Sequence, residues 1–168
     1  HFPLTLINRG MENTDTRIQQ DKPVTPAFLF ALFLWEPVRE RARQLEAEGQ
    51  HPAQAMQHAS SQIIAEQAAV MATPRRFSLP MRDIWVLQLR LETKGRRSLR
   101  VLSHPRFRAA YDFLLLRAAA GEVPVSLGDW WTEFQESNPQ QREQPARKAR
   151  PRKRRRNRSG RKPEGKTE

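Results

Sequence analysis

The stretch PRFRAAYDFLLLRAAAG, residues 105–121, decides the fold class of this chain. Its large apolar side chains recur at intervals of three and four residues, which is the spacing of one face of an α-helix. That face comprises Phe107, Tyr111, Leu114, Leu115 and Ala118. Pro105 is typical of a helix start, and Gly121 is typical of a helix end. The segment therefore predicts an amphipathic helix with defined ends.

The residues before this stretch show similar helical spacing. A first helix is predicted near the start of the chain, with Gly10 as its weak point. Its apolar face comprises Leu4, Ile7, Met11 and Ile18. Thr25 followed by Pro26 predicts the cap and first turn of a second helix. Pro37 should kink that helix or restart it, because proline lacks the amide hydrogen that a helix interior needs.

Three further segments complete the helical pattern. A helix rich in small residues is predicted to end before Pro74, and Pro80 introduces a helix with the sequence MRDIWVLQLRL, residues 81–91. Ser126 and Asp129 resemble a capping box at the start of the last helix. Sustained apolar–polar alternation and hairpin turn dipeptides are absent from the sequence. We therefore predict an all-α bundle of five to seven helices.

The end of the chain is strongly basic and has no large apolar side chain to bury. From residue 142 onward there are 13 Lys and Arg against 3 Glu, and most of them lie in ARKARPRKRRRNRSGRK, residues 146–162. Such a segment cannot offset the entropy cost of ordering. We therefore predict a helical body domain at residues 1–137, followed by a disordered basic tail at residues 138–168.

A tail of this charge should bind a polyanion, which means RNA, DNA or an acidic membrane surface. Neutralised phosphates release counterions, so the affinity should fall steeply with salt. A solubilising tail or a nuclear-localisation-like patch is the alternative. The candidate RNA-binding residues in the tail are Arg150, Arg152, Lys153, Arg154, Arg155 and Arg156.

A second basic region lies inside the predicted body. Residues 75–108 carry 10 basic and 2 acidic side chains, whereas residues 1–74 carry 6 and 8, and residues 109–141 carry 1 and 5. Arginine suits phosphate because its planar guanidinium donates two hydrogen bonds to one anion. The candidate RNA-binding residues here are Arg75, Arg76, Arg82, Lys94, Arg96, Arg97, Arg100, Arg106 and Arg108. The alternative is that they are solvated arginines with local partners, as in an Arg108–Asp112 pair.

The adjacent tryptophans Trp130 and Trp131 leave two interpretations open. Neighbouring helical side chains point about 100° apart, so the two rings cannot both face the same way. One exposed ring beside a basic patch could stack on a base. The alternative is that the pair caps a small helical core, and Trp85 and Tyr111 are predicted to lie in that core.

Several classes of site and location are not supported by the sequence. There is no Cys, which favours a reducing compartment, and the four His are too scattered to suggest a metal site. The most apolar stretch, residues 27–35, is shorter than the roughly 20 residues that cross a bilayer. Phosphate-loop, dinucleotide-binding, hydrolase-elbow and zinc-protease motifs are absent, and the aspartates are isolated. We expect a cytoplasmic location, no catalytic residue and no cofactor in this chain.

Five blocks of sequence together resemble the C-terminal part of bacterial poly(A) polymerases. In order they are ENTDTRI (12–18), VTPAFLFA (24–31), PRRF with RDIWVLQLRL (74–77 and 82–91), LSHPRFRAAYDFLLLRA (102–118) and WWTEFQ (130–135). They precede the basic tail, and the resemblance extends over about residues 2–136. The family is similar to the CCA-adding tRNA nucleotidyltransferases.

The resemblance implies a specific role for this part of the chain. Family members add AMP units from ATP to RNA 3′ ends, with a catalytic head followed by helical neck and body regions and a tail. This sequence resembles the body and tail, so ATP and Mg²⁺ are implied for the full-length enzyme only. The body and tail would hold RNA while the head, on the same or another chain, performs the chemistry. Because the chain begins with His rather than Met, we also expect it to be a piece of something longer.

Two alternatives to this interpretation remain. The chain could be a stand-alone, non-catalytic RNA-binding protein derived from such an enzyme, or the body of a CCA-adding tRNA nucleotidyltransferase. The long basic tail favours the poly(A) enzymes by analogy. No transmembrane segment is expected, and the tail could also contact anionic membranes peripherally.

Overall fold

The computed structural model of the chain describes residues 4–21, 25–70 and 73–139. Across these residues the chain forms eight helices and no β-strand, which confirms the all-α prediction, with one helix more than the five to seven predicted. The helices are α1 (Leu4–Gln19), α2 (Pro26–Phe33), α3 (Trp35–Ala47), α4 (Pro52–Val70), α5 (Arg75–Leu91), α6 (Ser98–Leu102), α7 (Phe107–Ala119) and α8 (Val125–Ser137). The tail candidates from Arg150 to Arg156 lie outside the described residues.

The buried side chains form two clusters that share α5 and α7. The first cluster contains residues from each of the helices α1 through α5, including Trp35 and Trp85, and Phe113 from α7. The second joins the end of α5 to α6, α7 and α8, and includes Leu91 and Trp131. Burial of a large apolar side chain contributes about 1.5–3 kcal/mol. The two shared helices therefore hold the two halves of the molecule together.

The helix predicted at residues 105–121 is confirmed as α7, and Gly121 follows its end with a φ of +79°. Its predicted apolar face is right except at Leu115, which is 38% exposed. Phe113, which the prediction left off that face, is completely buried. The reason is that α7 packs against both clusters, so its buried surface is wider than a single stripe.

The predicted apolar face of α1 is wrong. Leu4 and Ile18 are 65% and 60% exposed, whereas Leu6, Gly10 and Thr14 are buried. These three positions are four residues apart and lie on one face of the helix. Gly10 lets α1 approach α2 closely, so the feature predicted as a weak point is a packing contact. The Thr14 hydroxyl donates a hydrogen bond to the Gly10 carbonyl at 2.8 Å, which satisfies it within the helix.

The predicted breaks between helices are partly confirmed. The chain restarts as α3 with Pro37 in the first turn, where proline is tolerated. However, α5 begins at Arg75 and includes Pro80, six residues earlier than the predicted start at residue 81. Phe77 is drawn onto the first cluster, with its ring centre 6.1 Å from that of Phe30. The last helix follows Pro124, and Ser126 makes no capping hydrogen bond, so the predicted capping box is wrong.

Candidate nucleic-acid interface

Four of the predicted basic residues line one groove between the α5–α6 turn and the start of α4. This cavity of about 610 Å³ is lined by Lys94, Arg96, Arg97 and Arg100 together with residues 51–53. We call it the basic groove. The turn is built locally: Gly95 donates its backbone N–H to the Ser98 hydroxyl at 3.1 Å. Buried Val101 and Leu102 then anchor α6, so the basic side chains project outward.

The basic groove keeps its positive charge because its cations have no acidic partner among the described residues. Among the residues that the structure describes, none of the four forms an ion pair. Glu92 also lines the groove, but its carboxylate is bound to Arg117 with a separation of 2.7 Å. The exposed cations are therefore available to a ligand, and their shared position favours an extended anion.

Arg90 belongs to the same groove and was missed by the sequence prediction. It lines the basic groove and also a neighbouring cavity of about 240 Å³ that contains Arg82 and His104. Arg90 is exposed and, within the described part of the chain, forms no ion pair. Its place in the last turn of α5, within the basic segment at residues 75–108, was a usable signal.

The remaining predicted residues do not join the basic groove. Arg106 and Arg108 line a separate cavity of about 230 Å³, where Arg108 is bound to Asp112 at 3.2 Å. The local pairing expected as the alternative for Arg108 is thus present. Arg75 and Arg76 lie at the start of α5, away from these cavities, and the Arg76 guanidinium lies 5.0 Å from the centre of the Phe77 ring.

Two titratable groups beside these cavities have shifted pKa values. Burial raises the pKa of Asp112 above its ordinary value, although Arg108 and Arg17 act in the opposite direction. Burial lowers the pKa of His104, Arg90 and Arg106 lower it further, and Asp83 opposes them. His104 is therefore poised to be neutral near pH 7, and its Nδ1 accepts the backbone N–H of Arg106 at 3.0 Å.

The two adjacent tryptophans occupy different environments. Trp131 is completely buried and donates its indole N–H to the Leu91 carbonyl at 2.7 Å. Trp130 is only partly buried and stacks on Phe134, with ring centres 4.8 Å apart and planes at 12°. The Lys94 ammonium lies 5.7 Å from the centre of the Trp130 ring. One ring is therefore core, and the other lies beside the basic groove.

The part of the chain that contains the basic groove matches a known protein family. Residues 48–163 match the family model described as "Polymerase A arginine-rich C-terminus". This match covers more than half of the chain and includes the whole basic groove and every candidate RNA-binding residue. The chain belongs to this family.

Individual poly(A) polymerases from bacteria show the same relationship. The chain is 39% identical over 148 residues to poly(A) polymerase I of Haemophilus influenzae, with 85% of this chain and 32% of that protein aligned. It is 42% identical over 140 residues to poly(A) polymerase I of Escherichia coli O6:H1, with 80% of this chain and 30% of that protein aligned. The chain thus spans about a third of the length of the curated relatives it matches, which confirms the C-terminal resemblance.

A buried polar network in this poly(A) polymerase C-terminal chain was also missed by the sequence prediction. Arg117 is only 5% exposed, and it donates to Gln88 Oε1 at 3.1 Å and to Glu122 Oε2 at 3.2 Å. Glu122 Oε2 also accepts the Trp35 indole N–H at 3.0 Å and lies 3.2 Å from Arg39 Nη1. The feature of the sequence that indicated this network was the position of Arg117, three residues after Leu114 on the buried face of α7.

The described residues provide neither a metal site nor a membrane-spanning helix. Among the described residues there is no group of three or more His, Asp or Glu side chains that could hold a metal ion. None of the helices described here is long and apolar enough to span a bilayer.

Proposed function

We propose that this chain is the RNA-binding part of a bacterial polynucleotide adenylyltransferase, an enzyme that adds AMP from ATP to RNA 3′ ends. The observation that carries the proposal is the basic groove, whose cations form no ion pair with any described residue. The chain that presents this groove belongs to the poly(A) polymerase C-terminal family. Arginine and lysine side chains in such a groove contact phosphates without reading sequence. The tail residues from Arg150 to Arg156 would extend the contact along the RNA.

The wider parts of the proposal follow from the same family assignment. A catalytic head, on the same or another chain, would bind ATP and Mg²⁺ and perform the transfer. RNA is the proposed partner, the cytoplasm the proposed location, and peripheral contact of the tail with anionic lipid a secondary possibility. The two domains proposed are the body at residues 1–137 and the tail at residues 138–168.

The charge of the basic groove provides the direct test. We expect the triple variant Arg96→Glu, Arg97→Glu, Arg100→Glu to bind single-stranded RNA more weakly than the unmodified chain. A plot of log affinity against log salt concentration has a negative slope. If three phosphate contacts are lost, that slope should become shallower by about 2. Fluorescence anisotropy of a labelled RNA at several salt concentrations measures both quantities.

A matched control separates the groove from overall charge. The variant Arg9→Glu, Arg41→Glu, Arg43→Glu changes the net charge by the same amount, and all three arginines lie in exposed pairs with Glu12, Glu66 and Glu40. We expect it to bind RNA more tightly than the groove variant at every salt concentration. Equal losses in both variants, or unchanged binding by the groove variant, would contradict the proposed site.

The alternative functions, a CCA-adding enzyme and a stand-alone RNA-binding protein, predict different relatives and a different size of the natural protein. The curated relatives are named poly(A) polymerases, which favours that enzyme over a CCA-adding one. A stand-alone RNA-binding protein would give an immunoblot band near 19.6 kDa from the source cells. A band well above that size would support a full polymerase.

A further inference from the structure

The four tryptophans differ in how their indole N–H groups are satisfied. Trp35, Trp85 and Trp131 are buried and donate to Glu122, to the Ala31 carbonyl and to the Leu91 carbonyl respectively. Trp130 makes no hydrogen bond within the described part of the chain and remains partly exposed. Its indole is therefore the one of the four that combines a solvent-accessible ring with a free donor.

Two contacts position Trp130 beside the basic groove. The hydrogen bond from Trp131 to Leu91 fixes the first turns of α8 against the end of α5, where the groove begins. Lys94, which lines the groove, also places its ammonium near the Trp130 ring. Phe134 supports the ring from within α8, so the indole is held in a defined orientation.

We infer that Trp130 is a stacking site for an unpaired base of single-stranded RNA whose phosphates follow the basic groove. This inference rests on the proposed function. An aromatic ring beside a positively charged groove is the arrangement that single-strand binding proteins use. The incoming base would replace the flexible, exposed Lys94 side chain on the ring, and the displaced ammonium would remain near the phosphates.

The charges around Trp130 determine which part of the RNA could reach it. Asp129 and Glu133 are exposed on the same helix and repel phosphate. The cations of the basic groove reach the ring through Lys94. The sugar–phosphate backbone should therefore keep to the groove, with only a base reaching α8. A duplex cannot present its bases in this way, so single strands should be preferred.

Two probes separate stacking from charge: an oligoadenylate and an abasic ribose–phosphate oligomer of the same length. We expect Trp130→Leu in the full chain to weaken oligoadenylate binding by about tenfold, because leucine is apolar but has no π-face on which a base can stack. Binding of the abasic oligomer should not change. Trp130→Phe should recover most of the affinity, and Phe33→Leu, at another exposed aromatic residue, should have no effect on either probe.

Tryptophan fluorescence provides a second measurement that does not depend on the leucine variant folding. Oligoadenylate should quench the emission of the unmodified chain more strongly than the abasic oligomer does. That difference should disappear in Trp130→Phe, since the other three tryptophans are buried. Thermal melting of each variant without RNA verifies that the fold is intact.

The outcomes distinguish this inference from the proposed function. If Trp130→Leu binds oligoadenylate normally while the groove variant binds weakly, the stacking site is overturned and the proposed function stands. Equal weakening of both probes by Trp130→Leu would also overturn the stacking site. If the groove variant binds both probes normally, the proposed RNA-binding site itself is overturned.

Discussion

Gly10 lies at a close approach between α1 and α2. A Cβ added there would lie 2.0 Å from Leu32 Cδ2 and 3.1 Å from Leu32 Cγ. Leu32 is 1% exposed, so it has little room to move away. We expect Gly10→Ala to lower the free energy of unfolding by about 1–3 kcal/mol, because overpacking outweighs the higher helix propensity of alanine. Urea denaturation measures the difference.

Gly128 offers a control for the same substitution in another helix. Its added Cβ would lie 2.8 Å from Leu115 Cδ2, but Leu115 is 38% exposed and can rotate into solvent. Gly128→Ala should therefore be neutral or stabilise the chain by up to about 1 kcal/mol. Equal destabilisation at both positions would show that room at the contact does not decide the effect.

His104 should make the stability depend on pH. Its pKa lies below the ordinary 6.5, mainly because of burial, so the folded chain binds this proton less readily than the unfolded chain. The stabilising contribution is complete above pH 6.5 and is lost as the pH falls through 6.5 to the folded-state pKa. Protonation also removes the Nδ1 acceptor for the Arg106 N–H.

The variant His104→Asn isolates this effect, because asparagine keeps a side-chain acceptor but does not titrate in this range. We expect the unfolding free energy of the unmodified chain to fall more steeply with decreasing pH than that of the variant. Urea denaturation between about pH 7.5 and about pH 5 covers the range of an ordinary histidine. Parallel curves for the two proteins would refute the assignment to His104.

At the level of secondary-structure elements, the end of α7 determines where Glu122 lies. Gly121 has a φ of +79°, and the Glu122 N–H donates to the Arg117 carbonyl at 2.9 Å. The Gly121 N–H donates to the Ala118 carbonyl at 3.0 Å, which completes a Schellman motif. This motif turns the chain so that the Glu122 carboxylate meets Trp35 and Arg117. The helix end thus positions the acceptor of the buried polar network.

We expect Gly121→Ala to be more destabilising than Gly49→Ala. Gly49 ends α3 with the same motif at a φ of +97°, and a Cβ at either position would meet no atom within 4 Å. Both substitutions should cost about 1–2 kcal/mol through left-handed backbone strain. Gly121→Ala should cost more, because Glu122 would shift relative to Arg117. Equal losses in urea denaturation would indicate that the network adapts to the strain.

At the scale of the whole molecule, α5 and α7 connect both buried clusters and the surface that we propose for RNA. The end of α5 supplies Arg90 and leads into the turn with Lys94, and the buried Leu91 carbonyl holds α8 through Trp131. Arg117 on α7 binds Glu92, which keeps an acidic group from neutralising the groove. The packing of the two helices and the exposed positive charge are therefore parts of one arrangement.

The sequence predicted the helices better than it predicted their buried faces. Local spacing identifies α7 because the backbone hydrogen bonds of a helix join residues four apart. Helix formation therefore depends mainly on residues that are close in sequence. The face of α1 was predicted wrongly, because Leu4, Met11 and Ile18 also satisfy helical spacing. Spacing alone cannot show that a glycine face allows a closer approach to Leu32. The start of α5 was predicted six residues too late. The prediction considered only the local free-energy cost of placing Pro80 inside a helix, which the packing of Phe77 outweighed.

The sequence by itself determined the helical class, the uneven charge and the family resemblance, since each depends on residue types and their local order. Only the tertiary structure decided which cations share the basic groove and which tryptophan lies beside it. It also decided that Arg117 pairs with Glu92 and that Trp35 meets Glu122, 87 residues away along the chain. The physical reason is that such contacts arise where separate helices pack, and packing depends on the fit of all the helices together.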